Sequence, residues 1–135
     1  MRRRPPVYGL DIETDTTENG LDPSVAAVVT VALAGPGLEE VFTGPEEHIL
    51  RGVDERLAQL EPGVLATWNG AAFDLPFIAD RAELLDLDIG LRLQLDRSIT
   101  MRRAPLPGHE GAYRGRWYEH QHLDAYRVYR GDVGP

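Results

Sequence analysis

The sequence predicts an α/β domain built on a mixed sheet, and three observations carry that prediction. Val7–Ile12 alternates, with Tyr8, Leu10 and Ile12 on one face and Gly9, Asp11 and Glu13 on the other, the period of a half-buried strand. Ile49, Leu50, Val53, Leu57 and Leu60 recur at helical spacing between Pro45 and Pro62. Val64–Trp68 is a short apolar run, followed by a second helical stretch at Leu75–Leu87. Strands alternating with helices point to helices packed on a sheet.

The remaining elements follow from local chemistry. Thr14–Pro23 is polar, and Asn19-Gly20 marks a turn within it. Val25–Ala34 is a nearly continuous valine-rich run, expected to be a strand buried on both faces. Gly35-Pro36-Gly37 then turns the chain into a short partner strand, Glu39–Thr43, to make a hairpin. Pro45-Glu46-Glu47 suits a first helical turn, and Glu61-Pro62-Gly63 stops that helix. The Leu75–Leu87 helix is expected to turn Phe77, Ile78, Leu84 and Leu85 inward. Leu91, Leu93 and Leu95 alternate with polar residues as a further strand, and Pro105–Gly108 reads as an exposed loop. A last strand is expected around Arg116–His122, with Leu123–Arg130 turning into a helix.

At 135 residues, with 42% apolar and 27% charged side chains, the chain is expected to form one domain over residues 1–135. No apolar run approaches the roughly 20 residues of a membrane-spanning helix. Pro5-Pro6 and Asp11 interrupt what Met1-Arg2-Arg3-Arg4 begins as a signal-peptide start, so a cytoplasmic location and no membrane partner are expected. With no cysteine, disulfides and thiolate metal sites are excluded.

The net charge is −8, but its distribution is uneven. Residues 1–91 hold 17 acids against six arginines, whereas residues 92–130 hold eight arginines against four acids. Every basic residue is arginine, whose planar fork suits phosphate. Arg92, Arg97, Arg102, Arg103, Arg114 and Arg116 are therefore expected to flank a groove and guide a phosphate backbone, although a solvated basic face has the same composition.

Asp11 and Glu13 lie two apart on a strand and so project together, while Ile12 points the other way. Asp74 arrives just where the next helix begins, a position that also suits a helix cap. Such carboxylates are the hard oxygen donors that Mg²⁺ or Mn²⁺ favours.

Tyr8-Gly-Leu-Asp-Ile-Glu-Thr14 and Trp68-Asn-Gly-Ala-Ala-Phe-Asp-Leu-Pro-Phe77 together resemble the first and second motifs of the DEDD-type 3′-to-5′ exonucleases. The wording of the second motif is closest to the branch containing the family-B polymerase proofreading domains. The resemblance implies a ribonuclease-H-like mixed sheet flanked by helices. It implies Asp11, Glu13 and Asp74 as catalytic, metal-binding residues for two Mg²⁺ or Mn²⁺ ions. Thr14, Asn69 and Phe73 are then the implied substrate-binding residues, and single-stranded DNA or RNA 3′ ends the implied partner. His122-Leu123-Asp124-Ala125-Tyr126 resembles a later segment of these enzymes that orients structure more than it does chemistry.

The family pattern also has a third motif, Tyr-x-x-x-Asp or His-x-x-x-x-Asp. Asp124 has His120 and Glu119 at those offsets, and Asp132 has Val128 and Arg127, so neither fits. The expectation is a C-terminally truncated domain lacking its last helices, with exposed apolar surface open to self-association. The alternative is a catalytically incomplete domain that binds nucleic acid or a partner protein without turnover. His109, His120 and His122 are close in sequence, but without a matched carboxylate spacing they are expected at the surface or on the substrate side rather than on zinc.

Overall fold

The computed structural model describes residues 4–131, so Asp132 lies outside the described residues. Seven strands form one mixed sheet. They are β1 (Val7–Thr14), β2 (Val28–Gly35), β3 (Leu38–Phe42), β4 (Val64–Thr67), β5 (Leu91–Leu95), β6 (Tyr113–Trp117) and β7 (His120–Asp124). Three helices accompany them: α1 (Glu46–Gln59), α2 (Asp74–Leu84) and α3 (Ala125–Arg130). The strand order is β3-β2-β1-β4-β7-β6-β5. The central trio β1, β4 and β7 is parallel, and an antiparallel hairpin flanks it on each side.

Alternation decides which face is covered. Tyr8, Leu10 and Ile12 of β1 are buried against Ile49, Leu50, Val53 and Leu57 of α1 and Leu75, Phe77 and Ile78 of α2 in one core. The opposite face of β1 carries Val7, Gly9, Asp11 and Glu13 and is exposed. Strand register extends this open face across the sheet through Gly9, Ala66 and Leu123.

Several local expectations need correction. The valine-rich run becomes a strand only from Val28, and it is not buried on both faces, because Val25 and Val29 are exposed. The single strand expected around Arg116–His122 is a tight hairpin, β6–β7, turned by Tyr118 at φ 51°. α2 ends at Leu84, whose side chain is 56% exposed rather than inward. Asp86, also at positive φ (56°), follows that end.

Polar clamps complete the packing. Glu46, in the first turn of α1, takes two hydrogen bonds from the Arg81 guanidinium of α2 at 2.8 and 2.6 Å and a third from the Val28 N–H. This pair is almost fully buried, and its satisfied geometry locks α1, α2 and β2 in one arrangement. Asp54 of α1 similarly accepts from Gly90 N–H, the Trp117 indole and the Tyr118 hydroxyl. That knot ties the β5 entry and the β6–β7 turn to the helix layer.

Candidate active site

β1 outruns its parallel neighbour. It pairs with β4 only from Val7 to Gly9, so its carboxyl end is open on that side, where α2 begins. Asp11 and Glu13 stand on the exposed face of this free segment while Ile12 anchors it in the core. The β2 register also slips here, from Glu13 opposite Thr30 to Thr14 opposite Val28, leaving Val29 as an extra residue. Such a bulge increases local twist and re-aims neighbouring side chains. Nothing in the sequence pattern signalled it.

The turn from β4 into α2 is tight. Asn69 takes a left-handed φ of 64°, and its carbonyl accepts the Phe73 N–H at 3.0 Å. Gly70 is sterically required, since a Cβ there would lie 2.1 Å from the Thr67 Oγ1. Asp74 is the first residue of α2. The cap position belongs to Phe73, and no side chain bonds to the cap, so Asp74 is not the capping residue that the sequence allowed.

Asp74 is 3% exposed, and its Oδ2 is buried without a hydrogen-bond partner. Burial, then the neighbouring Asp11 carboxylate, and to a lesser degree Asp124, push its pKa up to about 7. Backbone N–H groups of Asp74 and Ile12 oppose that rise. The Asp11 carboxylate is thus near enough to Asp74 to raise its pKa. Among the described residues, no three His, Asp or Glu side chains are gathered closely enough to hold a metal ion by themselves.

Asp124 shapes this site without entering it. Its Oδ1 accepts from Asn69 and Tyr126 N–H groups at 2.7 and 3.1 Å, and its Oδ2 accepts from Ala71 N–H at 3.1 Å. One carboxylate thus caps α3 and clamps the turn that delivers Asp74, in keeping with the orienting role its segment suggested. Buried Arg127, which the sequence reading overlooked, donates to the Asn69 Oδ1 at 3.1 Å and to the Thr100 carbonyl.

Beside the carboxylates lies a cavity of about 650 Å³ lined by Trp68, Asn69, Phe73, Arg102, Arg103 and Tyr126 among others. Trp68 is 59% exposed and stacks at a tilt on Tyr126 and Tyr129. It also borders the shallow concavity that contains Asp11, so the two hollows adjoin. Phe73 is partly buried, against Phe77. Thr14 spends its hydroxyl on the Gly20 carbonyl at 2.7 Å, bracing the 19–21 turn whose Asn19 and Leu21 form another wall of the cavity.

The arginines do not act as one groove. Arg102 and Arg103 line the cavity, and Arg97 is an exposed side chain 3.7 Å from Glu110. Arg92, Arg114 and Arg116 sit on the far hairpin, around a separate hollow. The histidines are likewise dispersed, and they are not simply surface groups. His109 bridges Asp80 and the Tyr113 hydroxyl, His120 donates to the Leu57 carbonyl, and His122 bonds to Thr67 Oγ1 at 2.7 Å. Burial pushes the His122 pKa down to about 4, with Asp124 acting the other way.

Known proteins resemble this chain along most of its length. The family described as "DNA polymerase family B, exonuclease domain" matches residues 30–133. The DNA polymerase epsilon catalytic subunit from Debaryomyces hansenii is 30% identical over 98 residues, 72% of this chain and 4% of that protein. DNA polymerase 2 of Aeropyrum pernix is 27% identical over 107 residues, 76% of this chain and 13% of that protein. The chain thus spans only a small part of the curated relatives it matches. The solved structure of the family B DNA polymerase from Pyrobaculum calidifontis superposes with a TM-score of 0.72 at 21% identity, covering 96% of this chain and 16% of that one. The family match, read with a mixed sheet that sets Asp11 and Glu13 on its first strand and Asp74 at a helix start, places this chain in the exonuclease-domain family of the family B DNA polymerases, a DEDD-type branch of the ribonuclease-H-like superfamily.

Proposed function

We propose that this chain hydrolyses phosphodiester bonds from the 3′ end of single-stranded DNA, using divalent metal ions held by Asp11, Glu13 and Asp74. The observation that supports this reading most is Asp74. A buried carboxylate oxygen with no partner, within electrostatic range of a second carboxylate, is an unfavourable arrangement for a purely structural role. A cation between the two would remove both the repulsion and the unmet bond, and an all-oxygen donor set suits Mg²⁺ or Mn²⁺. When bound, such ions supply an acidified water and neutralise charge at the phosphate.

The chain's own residues supply position. Asp11 and Glu13 project from one strand face, and the Asp124 clamp holds the turn that leads into Asp74. Trp68 and Tyr126 offer aromatic faces on which bases of any identity can stack, and Arg102 and Arg103 offer charge to the backbone. The names of the curated relatives, both DNA polymerases, favour DNA over RNA.

Binding without turnover is the second reading. It is favoured by the ungathered carboxylates and by the engagement of both Asp124 oxygens with backbone N–H groups. A time course on a 5′-labelled single-stranded oligonucleotide with Mg²⁺ or Mn²⁺ separates the two. Stepwise shortening that Asp11→Ala abolishes supports the nuclease. Retention of the oligonucleotide with no shortening supports the binding module.

A further inference from the structure

The far end of the open sheet face carries an arrangement that the proposed hydrolysis does not use. Strand register sets Arg92 of β5 directly opposite Arg116 of β6, and Gln94 directly opposite Arg114. Arg116 in turn faces Gln121 of β7. Cross-strand partners share a face, so three guanidinium groups and two amides line one shallow hollow of about 270 Å³. Like charges directly opposite one another destabilise a sheet.

Little nearby neutralises this group. Among the described residues, none of those lining the hollow is acidic. Arg92 donates to the Ile89 and Leu91 carbonyls, which carry no net charge. Arg114 lies 3.9 Å from Asp96 but is itself 73% exposed, and Asp54 and Asp88 act with Arg92 on Tyr118 beyond the hollow rather than within it. In a chain of net charge −8, with 22 acids available, three such arginines on one sheet face are conspicuous.

We propose that Arg92, Arg114 and Arg116, with Gln94 and Gln121, form a docking station for the phosphodiester backbone of a single nucleic-acid strand. Its occupant is fixed by charge complementarity: guanidinium forks and amide N–H donors match phosphate oxygens, and a polyanion relieves the opposed arginines. The station lies on the same face as Asp11. Val7, Val64, Gln121 and Arg116 form one register row. Strands stand about 4.8 Å apart and rise about 3.3 Å per residue, which places Arg116 roughly 20 Å from Asp11. That span corresponds to about six stacked nucleotides at 3.4 Å each, and fewer if the strand is extended. The path between runs over Leu123, Ala66 and Gly9. Short oligonucleotides would cover one end of the face at a time, whereas longer ones would engage both ends. This inference rests on the nucleic-acid reading of the site, yet its test needs no turnover.

Fluorescence anisotropy in chelator, with a labelled trinucleotide and a labelled dodecamer, each as DNA and as RNA, compares the native chain with Arg92→Gln/Arg116→Gln. The double variant should bind the dodecamer roughly five- to tenfold more weakly, with a salt slope shallower by about 1.4. The trinucleotide, which keeps the cavity of Trp68, Arg102 and Arg103, should lose less affinity than the dodecamer, and thermal stability should be retained or raised. Arg114→Gln, which leaves the opposed pair in place, should lower the slope by about 0.7. Unchanged dodecamer affinity and slope in both variants would overturn the proposal. So would displacement of the dodecamer by poly-glutamate as readily as by unlabelled oligonucleotide, which would reassign the hollow to acidic peptides. Length-dependent binding without any shortening activity would keep the station and remove the nuclease reading, and shortening without length dependence would do the reverse.

Discussion

The Asp124 carboxylate accepts the Asn69 N–H at 2.7 Å across 55 residues of sequence, and this bond joins the end of β7 to the turn that positions Asp74. Asn69 sits there at φ 64°, a left-handed conformation that asparagine tolerates better than most residues but that still needs holding. The same carboxylate takes Ala71 N–H and caps α3, so three backbone donors depend on it. The turn that delivers Asp74 is therefore held by a buried residue whose two oxygens are both engaged by backbone N–H groups.

Asp124→Ala should consequently lower stability by about 2–4 kcal/mol, because buried N–H groups lose a charged acceptor. Asp124→Asn keeps one acceptor oxygen and should lose about half as much. Urea unfolding midpoints read the difference. A midpoint for Asp124→Ala within error of the native chain would show that the clamp contributes nothing.

Asp74 should make the metal-free protein less stable as pH rises. Its folded pKa of about 7 exceeds the ordinary 3.8, so between those values the native state holds a proton that the unfolded chain has released. Stability from this group is thus present below about pH 4 and is lost as pH climbs through 7. The loss is on the order of 4 kcal/mol by pH 8. Asp74→Asn should abolish that fall in the presence of chelator. Mg²⁺ or Mn²⁺ should raise the melting temperature at pH 8 for the native chain more than for the variant. Identical pH profiles for the two proteins would contradict the assignment.

His122 should act with the opposite sign over nearly the same range. Its folded pKa of about 4 lies below the ordinary 6.5, so acid favours the unfolded chain, which takes up the proton first. Stability should fall as pH drops from about 6.5 toward 4, and His122→Gln, which keeps a hydrogen bond to Thr67 within reach, should flatten that fall. Since Asp74 pulls the other way, the informative quantity is the difference between native and variant curves. An NMR titration placing the His122 midpoint above 6 would end this account.

Arg127 fixes the Asn69 side chain. A guanidinium only donates, so its bond to the Asn69 Oδ1 leaves the amide NH₂ as the end available to the cavity. Asn69→Asp keeps a partner for Arg127 but presents an acceptor where a donor stood. Oligonucleotide affinity should drop by about tenfold with little change in melting temperature, the loss of a single hydrogen bond made worse by a repelled phosphate. Equal binding by Asn69→Asp and the native chain would place Asn69 outside the contact surface.

Much of this protein was legible because its signals are local. Alternation in Val7–Ile12 identified the strand and its buried side, and it put Asp11 and Glu13 on one face, because a strand has a side-chain period of two. Helical spacing in residues 49–60 identified α1, and the start of α2 placed Asp74 within one residue of its observed position. The Tyr118-Glu119 turn escaped notice because Tyr118 reaches positive φ without glycine or asparagine, held instead by its bond to Asp54. The bulge at Val29 was equally silent, since register is a property of two strands.

By itself, then, the sequence determined which residues alternate, which helices form and which carboxylates share a strand. Only the tertiary structure decided that Asp74 is buried within electrostatic range of Asp11, that Asp124 and Arg127 hold the turn before α2, and that the arginines divide between a cavity and a distant hollow. Those outcomes depend on burial, strand register and charge proximity between segments as much as 63 residues apart. Periodicity reports what a residue does relative to its chain neighbours, whereas a pKa or an opposed charge pair is set by whatever the fold brings alongside it.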